Sequence, residues 1–351
     1  MPGLFDPLKV GALMLPNRII MAPLTRARAT DERVPTPLMV DYYVQRASAG
    51  LIVTEATSVT PMGVGYANTP GIWSDEQVAG WRVITDAVHT AGGRMVMQLW
   101  HVGRISDPSL LGGMPPVAPS AIAAAGHVSL LRPERPYPTP RALDIGEIPG
   151  IVEAYRVGAA NAKKAGFDGV ELHGANGYLL DQFLQDKTNK RQDAYGGSIE
   201  NRARLMLETI DAAIDVWGAD RVGLHLAPRG DAHDMGDSDA ASTFFYVARE
   251  CGKRGLAFLF AREHVEADRL APSLKKQFGG VFITNERFTL EQSQQDLDSG
   301  AADAIAFGVR FIANPDLPAR LQTDGPYNEL DRSTMYARGA EGYTDYPALA
   351  G

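Results

Sequence analysis

The 351-residue sequence has little of several features that mark common protein classes. Its one cysteine, Cys251, excludes an intrachain disulfide, a cysteine-ligated iron–sulfur cluster and a cysteine-rich zinc site. No apolar run approaches the ~20 residues that a membrane span needs, and the first residues lack the basic and apolar regions of a secretion signal. The chain has 34 basic and 42 acidic residues, and its net charge of −8 shows no excess of basic residues of the kind that nucleic-acid binding requires. We therefore expect a cytoplasmic protein that binds neither membranes nor nucleic acids.

What the chain does contain is an alternation of short apolar runs with helical segments. Hydrophobic residues at 45% and charged residues at 22% are ordinary for a globular protein. Continuous apolar runs separated by helices are typical of a parallel sheet covered by helices. We predict eight strands, at 19–23, 51–55, 94–99, 169–173, 222–227, 256–260, 281–284 and 304–307. Helices are predicted at 37–48, 75–91, 147–165, 199–217, 240–254, 270–277, 290–299 and 315–321.

Eight strand–helix units in roughly 300 residues favour a (β/α)8 TIM barrel, which takes about 250 residues plus insertions. The alternative, a doubly wound sheet, usually carries a G-x-G-x-x-G turn after a strand, and no such turn is present. We predict one α/β domain spanning residues 1–351. The proline-rich stretch 106–144 follows the third strand, and it is predicted to be an irregular lid over the barrel, although a simple connector remains an alternative.

Polar side chains follow the fourth strand, where a barrel places its chemistry. His173 and Asn176 can each direct an N–H at one oxygen, which would stabilise negative charge developing on a carbonyl or nitro group. Tyr178 is a phenol with an ordinary pKa of ~10, so it can protonate a strongly basic carbon. Gly174 and Gly177 make the loop flexible enough to carry all three. Without further information, structural roles for these residues are equally open.

Other strand ends carry weaker signals. Thr25 and Ala56 follow the first two strands, and the Gln98 amide on the third suits a ring edge with alternating N–H and C=O groups. Barrels frequently bind a phosphate after strands 7 and 8. Arg287 and Gly308 lie there, the arginine as a source of positive charge and the glycine allowing close backbone approach.

Several ordered motifs run through the chain almost from end to end. They are LFDPL (4–8), NRIIMAPLTR (17–26), HGANGYLLDQFL (173–184), YGGSIENR (195–202), IANPDL (312–317) and GYTDYP (342–347). In these motifs the chain resembles the Old Yellow Enzyme family of FMN-dependent ene-reductases.

The resemblance implies a barrel that holds FMN noncovalently, with NADPH or NADH as the hydride donor. It implies that His173 and Asn176 hold the substrate oxygen above the flavin and that Tyr178 delivers a proton to one alkene carbon. Cofactor contacts are implied for Pro23, Leu24, Thr25, Ala56 and Gln98. We predict further cofactor contacts at His225, Arg287, Gly308 and Val309. A substrate cavity is implied for Tyr66, Trp100, His173, Asn176 and Tyr343.

Two positions depart from the family pattern. His225 stands where most members have an arginine facing the pyrimidine side of the flavin. Val309 stands where an arginine usually binds the phosphate. Arg310, one residue further on, is a poor substitute, since in an extended segment a one-residue shift points a side chain to the opposite face. We expect Arg287 to supply the missing charge-assisted contact with the phosphate.

The sequence therefore predicts an NAD(P)H-dependent flavin ene-reductase, of the NADPH dehydrogenase or 2-enoate and enone reductase type, with ping-pong kinetics. Its substrates would be small activated alkenes: α,β-unsaturated ketones, aldehydes, imides and nitroalkenes. The alternatives are a non-catalytic flavin-binding barrel and a metal-dependent barrel hydrolase, although we predict no metal site. Whether the protein is a monomer or a homo-oligomer is left open.

Overall fold

The computed structural model describes residues 2–230, 232–266 and 268–349, which contain thirteen strands and ten α-helices. The strands are β1 (Leu8–Val10), β2 (Leu13–Leu15), β3 (Ile19–Met21), β4 (Leu51–Val53), β5 (Thr57–Ser58), β6 (Met95–Trp100), β7 (Val117–Ala118), β8 (Arg141–Ala142), β9 (Gly169–Gly174), β10 (Val222–Leu226), β11 (Phe258–Arg262), β12 (Phe282–Asn285) and β13 (Ala304–Phe307). The helices are α1 (Pro37–Val44), α2 (Asp75–Thr90), α3 (Ile148–Lys164), α4 (Leu179–Leu184), α5 (Ile199–Trp217), α6 (Ala240–Arg254), α7 (Ala271–Phe278), α8 (Leu290–Asp298), α9 (Val309–Ala313) and α10 (Leu317–Thr323).

Eight of these strands form a closed parallel barrel. Their order is β4-β3-β13-β12-β11-β10-β9-β6, and the pairing of β4 with β6 closes the cylinder. Every residue of β6, β9 and β10 is buried, as expected when helices cover one face and the barrel interior the other. The (β/α)8 prediction is confirmed. The sixth strand is displaced most, since it is predicted at 256–260 and β11 spans Phe258–Arg262; the third and seventh strands each begin and end one residue later than predicted.

The N-terminal end of the barrel is closed by a hairpin. β1 pairs with β2 in antiparallel fashion, and Val10 and Leu15 pack into a buried cluster with Ile20, Leu51 and Val53. Between them Met14 points outward and is 56% exposed. A ligand site in the barrel must therefore open at the opposite end, where the strands have their carboxyl termini.

The segment from 106 to 144 contains only short elements, a single 3-10 turn and the two-residue strands β7 and β8, which pair with each other. Within it, Val128 and Tyr137 are buried in a cluster with Tyr66 and Trp100. The segment thus packs beside the aromatic residues at the carboxyl end of β6.

Cys251 lies on α6 and is fully buried in the core. Burial raises the pKa of its thiol to about 12. None of the helices in the described ranges combines the length and apolarity required to cross a bilayer.

Candidate active site at the carboxyl end of the barrel

A cavity of about 630 Å³ opens at the carboxyl ends of the barrel strands. Its walls come from loops that are far apart in the sequence, because parallel strands bring their carboxyl ends to the same edge. Thirteen residues that we singled out from the sequence line it: Pro23, Leu24, Thr25, Ala56, Gln98, Trp100, His173, Asn176, Tyr178, His225, Arg287, Gly308 and Val309.

Three rings lie side by side on neighbouring strands, and two of them, His173 and His225, line the cavity. The strand register aligns His173 of β9 with His225 of β10, and His225 with Phe260 of β11. Side chains at the same register level project to the same face, so the rings stack. The centroids of His173 and His225 are 5.3 Å apart, and those of His225 and Phe260 are 4.3 Å apart with planes inclined by 11°.

Both imidazoles in this row are neutral. Burial lowers the pKa of His173 to about 3, and burial lowers the pKa of His225 well below its ordinary value. Nδ1 of His173 and Nε2 of His225 are buried and have no hydrogen-bond partner among the described residues. Buried polar atoms normally find a partner, so these two nitrogens indicate a site that a polar ligand completes.

Beneath His225 lies a buried carboxyl group that sequence analysis missed. Gln98 donates from Nε2 to Oε2 of Glu171 at 2.7 Å, and the same Nε2 lies 3.2 Å from Nδ1 of His225. Glu171 stands two residues before His173 on β9, so alternation along the strand could have shown that both face the barrel interior. Burial raises the pKa of Glu171 to about 8, despite the hydrogen bond from Gln98.

This carboxyl group predicts a pH-dependent stability. An unfolded chain ionises Glu171 near its ordinary pKa of 4.5, whereas the folded protein keeps it neutral until about pH 8. The unfolded state therefore binds fewer protons between these values, and folding stability falls as the pH rises through this window. We expect Glu171→Gln to leave Tm unchanged near pH 4 and to raise it by a few degrees above pH 8. Thermal melts of both proteins at equal cofactor content would show this, and an equal Tm at pH 8.5 would contradict it.

The loop after β9 is fixed by side chains of α4. The N–H of Gly177 donates to Oδ2 of Asp181 at 2.9 Å, and Nε2 of Gln182 donates to the Gly177 carbonyl at 2.7 Å. Gly177 has a φ of +76°, and a Cβ there would lie 2.7 Å from the carbonyl oxygen of Ala232. Only glycine fits this position without displacing backbone. The constraint places Asn176 and Tyr178 on the cavity wall.

Tyr178 lies in an aromatic pocket. Its hydroxyl is 3.0 Å from that of Tyr66, and its ring meets Trp100 edge to face at 5.0 Å. The ring of Tyr66 stacks on Trp100 at 5.7 Å. Burial raises the pKa of Tyr178 above its ordinary value, so the phenol stays protonated throughout the neutral range. Tyr178 is thus a protonated group beside His173, whose ring centroid is 5.0 Å away.

The loop after β3, which carries Thr25, is held by a second buried carboxyl group. Oε2 of Glu55 accepts the backbone N–H of Arg26 at 3.1 Å and that of Ala27 at 3.3 Å. Ala27 has a φ of +56°, which is unusual for a residue with a side chain. The carboxyl oxygen stabilises this turn and so orients Thr25 toward the cavity that it lines.

Several basic side chains also line the cavity. Arg310 and Arg332 line it together with Arg287, whose side chain is 81% exposed and lies 3.5 Å from Glu286. The prediction that Arg310 is a poor substitute assumes an extended segment, but Arg310 does line the cavity. Val309 instead begins helix α9, in which a one-residue step turns the side chain by about 100° rather than to the opposite face.

Two residues predicted to shape the substrate cavity, Tyr66 and Tyr343, are not among those that line this cavity. Tyr66 stacks on Trp100, which does line it. Tyr343 packs in the core. Its ring is fully buried and stacks on Tyr42 with centroids 4.1 Å apart. The guanidinium groups of Arg26 and Arg28 lie 5.1 and 4.6 Å from its ring centroid, which adds cation–π attraction. From the same C-terminal region, Tyr336 lines the cavity instead.

Arg262 and Glu286 also line the cavity, and sequence analysis did not single out either one. They form an ion pair at its rim. In the ranges that the structure describes, no three His, Cys, Asp or Glu side chains come together to form a metal site.

Comparisons with known proteins agree with this architecture. Residues 3–328 match the model of the NADH:flavin oxidoreductase / NADH oxidase family. The chain is 44% identical to a probable flavin mononucleotide-dependent alkene reductase of Leishmania infantum, covering 99% of this chain and 97% of the relative. It is 40% identical to 12-oxophytodienoate reductase 2 of Arabidopsis thaliana, with 99% and 96% covered.

Solved structures are similar to this chain over nearly its whole length. The structure of morphinone reductase in complex with tetrahydroNAD superposes with a TM-score of 0.97 at 48% identity, covering 100% of this chain and 99% of that one. An Old Yellow Enzyme homologue from Zymomonas mobilis superposes with a TM-score of 0.96 at 46% identity, with 99% and 100% covered. The chain therefore belongs to the NADH:flavin oxidoreductase / NADH oxidase family, as a member of the Old Yellow Enzyme group.

Proposed function

We propose that this protein is an FMN-dependent oxidoreductase that reduces carbon–carbon double bonds conjugated to a ketone, aldehyde, imide or nitro group, with NADPH or NADH as reductant. The observation that supports the proposal most directly is that three polar side chains line the same cavity. Two neutral hydrogen-bond donors, His173 and Asn176, stand beside a protonated phenol, Tyr178.

The residues present fit FMN. Gln98, Glu171 and His225 present an edge of donors and acceptors, and Oε1 of Glu171 and Nε2 of His225 are buried with no partner among the described residues. Such an edge matches the alternating N–H and C=O groups of the flavin pyrimidine. Three arginines that line the cavity, Arg287, Arg310 and Arg332, supply positive charge for a phosphate. FMN, when bound, supplies the hydride for one alkene carbon.

The chain's own residues would then orient and protonate the substrate. His173 and Asn176 would donate hydrogen bonds to the substrate oxygen, which gains negative charge as the double bond is reduced. Tyr178 would give its proton to the second alkene carbon, and Tyr66, 3.0 Å away, would hold the phenol in place. Trp100 and the 106–144 segment would exclude water from this side of the cavity.

The reductant is proposed to be either nicotinamide nucleotide. One related structure, morphinone reductase, is a complex with tetrahydroNAD, a reduced analogue of NAD. A comparison of flavin reduction rates with NADH and NADPH would establish the preference.

The test of the proposed function is direct. Purified protein should be yellow, lose its colour on addition of NADPH or NADH without oxygen, and regain it when 2-cyclohexenone is added. A colourless protein that takes up no FMN would exclude an FMN-dependent enzyme. A yellow protein that bleaches but never recovers with any activated alkene would be a flavin binder rather than an alkene reductase.

Arg287→Ala is expected to raise the dissociation constant for FMN by about tenfold or more, since one hydrogen bond between charged groups contributes about 1.5–3 kcal/mol. The physical reason is that Arg287 is proposed to contact the phosphate in place of the arginine replaced by Val309. Fluorescence titration of flavin-free protein measures the change. Arg338→Ala, which removes a side chain that is similarly exposed (79%), is the matched control and should bind FMN as the parent does. Equal affinities in all three proteins would contradict the role of Arg287.

A further inference from the structure

Arg262 connects two loops at the cavity rim. It is the last residue of β11, its register partner on β12 is Asn285, and its side chain is 42% exposed. Nη1 donates to Oδ1 of Asn176 at 3.0 Å, and Nε pairs with the carboxylate of Glu286. The guanidinium thus bridges the loop after β9 and the turn after β12.

This contact determines which end of the Asn176 amide faces Arg262. A carboxamide has one end that accepts hydrogen bonds and one that donates them, whereas a guanidinium only donates. Arg262 therefore selects Oδ1, and Nδ2, on the same carbon, is turned to the other side. The reverse orientation would present an oxygen to a substrate oxygen that gains negative charge, and the two would repel each other.

The partners of Arg262 are themselves fixed. The Glu286 side chain is only 12% exposed, and its backbone has a φ of +135°, a conformation that non-glycine residues rarely adopt. On the other side, the carboxylate of Glu263 accepts the backbone N–H groups of Leu270 and Ala271, both at 2.8 Å. These contacts hold the turn and the loop that flank Arg262, so its guanidinium has a defined position before any ligand binds.

We propose that Arg262 is a positioning residue for alkene reduction, which holds the Asn176 amide so that Nδ2 faces the oxygen of the substrate, with Glu286 as its anchor. The inference rests on the proposed function, because it concerns the same substrate oxygen. A guanidinium near the substrate could also act through its charge alone, and the experiment must separate these two effects.

A double-mutant cycle separates them. Arg262→Met removes the donor and keeps much of the side-chain length, and Asn176→Ala removes the amide that Arg262 would orient. We expect Arg262→Met to slow single-turnover reduction of 2-cyclohexenone by about tenfold in the parent, within the usual range for residues in contact, and to have no further effect in Asn176→Ala. The same pattern is expected for the dissociation constant of cyclohexanone, a ketone that cannot be reduced further in this way. An equal loss in both backgrounds, or no loss in the parent, would overturn the proposal.

Two further variants keep the test decisive. Glu286→Gln weakens the anchor without changing its size, so it should reproduce part of the Arg262→Met effect even if that variant folds poorly. Arg229→Met removes a neighbouring cation that pairs with Asp268 and is 35% exposed, and it should leave both measurements unchanged. If the parent binds cyclohexanone but reduces no alkene, the proposed function fails while the binding cycle still tests Arg262. If it does neither, both proposals fail.

Discussion

Tyr178→Phe is expected to slow alkene reduction by about a hundredfold or more, the contribution of a well-placed general acid, while flavin reduction by the nicotinamide changes little. The variant removes only the hydroxyl that would protonate the alkene carbon. Its ring can still pack edge to face on Trp100, so the cavity keeps its shape. Stopped-flow measurement of the two half-reactions, each without oxygen, gives both rates separately.

Tyr66→Phe is the matched control. It removes the hydroxyl that lies 3.0 Å from that of Tyr178 and leaves the proposed donor in place. We expect a smaller loss in alkene reduction from this change. If Tyr178→Phe slows both half-reactions to the same extent, its role is structural and the proton comes from another group.

His173→Ala should lower kcat/KM for enone reduction by about 10²–10³-fold, the usual cost of losing one hydrogen-bond donor to a developing oxyanion. The substrate oxygen would keep only Asn176 as a partner. His173→Asn, which retains a donor of similar reach, should recover much of the loss. If the alanine and asparagine variants are equally impaired, the imidazole of His173 acts by stacking on His225 and not by donating a hydrogen bond to the substrate.

The donation by His173 should also be independent of pH. Burial lowers its pKa to about 3, so the ring is neutral at every pH above that value, and the raised pKa of Tyr178 keeps the phenol protonated. We therefore expect the rate of alkene reduction to be flat from about pH 5 to pH 7. A bell-shaped profile with a limb near pH 6.5 would show that His173 titrates as an ordinary histidine.

The sequence predicted the regular elements best where local signals mark both ends. Helices α5 and α6 agree with the prediction to the residue. The side chain of Ser198 accepts a hydrogen bond from the N–H of Asn201 at the start of α5, and Gly218 follows its last residue. The side chain of Asp239 accepts from the N–H of Ser242 at the start of α6, and Gly255 ends it with a left-handed φ of +70°. Strand β11 has no such marker at its end. Apolar residues begin before the strand does, at Leu256, and the strand ends on a charged residue.

The two-residue displacement of this strand affects the prediction of the site. Arg262 lies two residues beyond the predicted strand at 256–260, so its place at the carboxyl end of a barrel strand, where chemistry is expected, does not follow from the sequence prediction. Tyr343 shows that a sequence motif does not reveal tertiary contacts. The resemblance in the GYTDYP motif implies a place in the substrate cavity, but two arginines and a stacked tyrosine, Tyr42, hold Tyr343 in the core.

The burial of Cys251 makes this protein convenient for site-specific attachment. Maleimide reagents react with thiolates, and a fully buried thiol with a pKa of about 12 offers almost none at neutral pH. A cysteine introduced at exposed Met14, on the hairpin that closes the barrel floor, would then be the one reactive thiol in the chain. Coupling through that position would fix the enzyme to an electrode or bead with its cavity facing the solution.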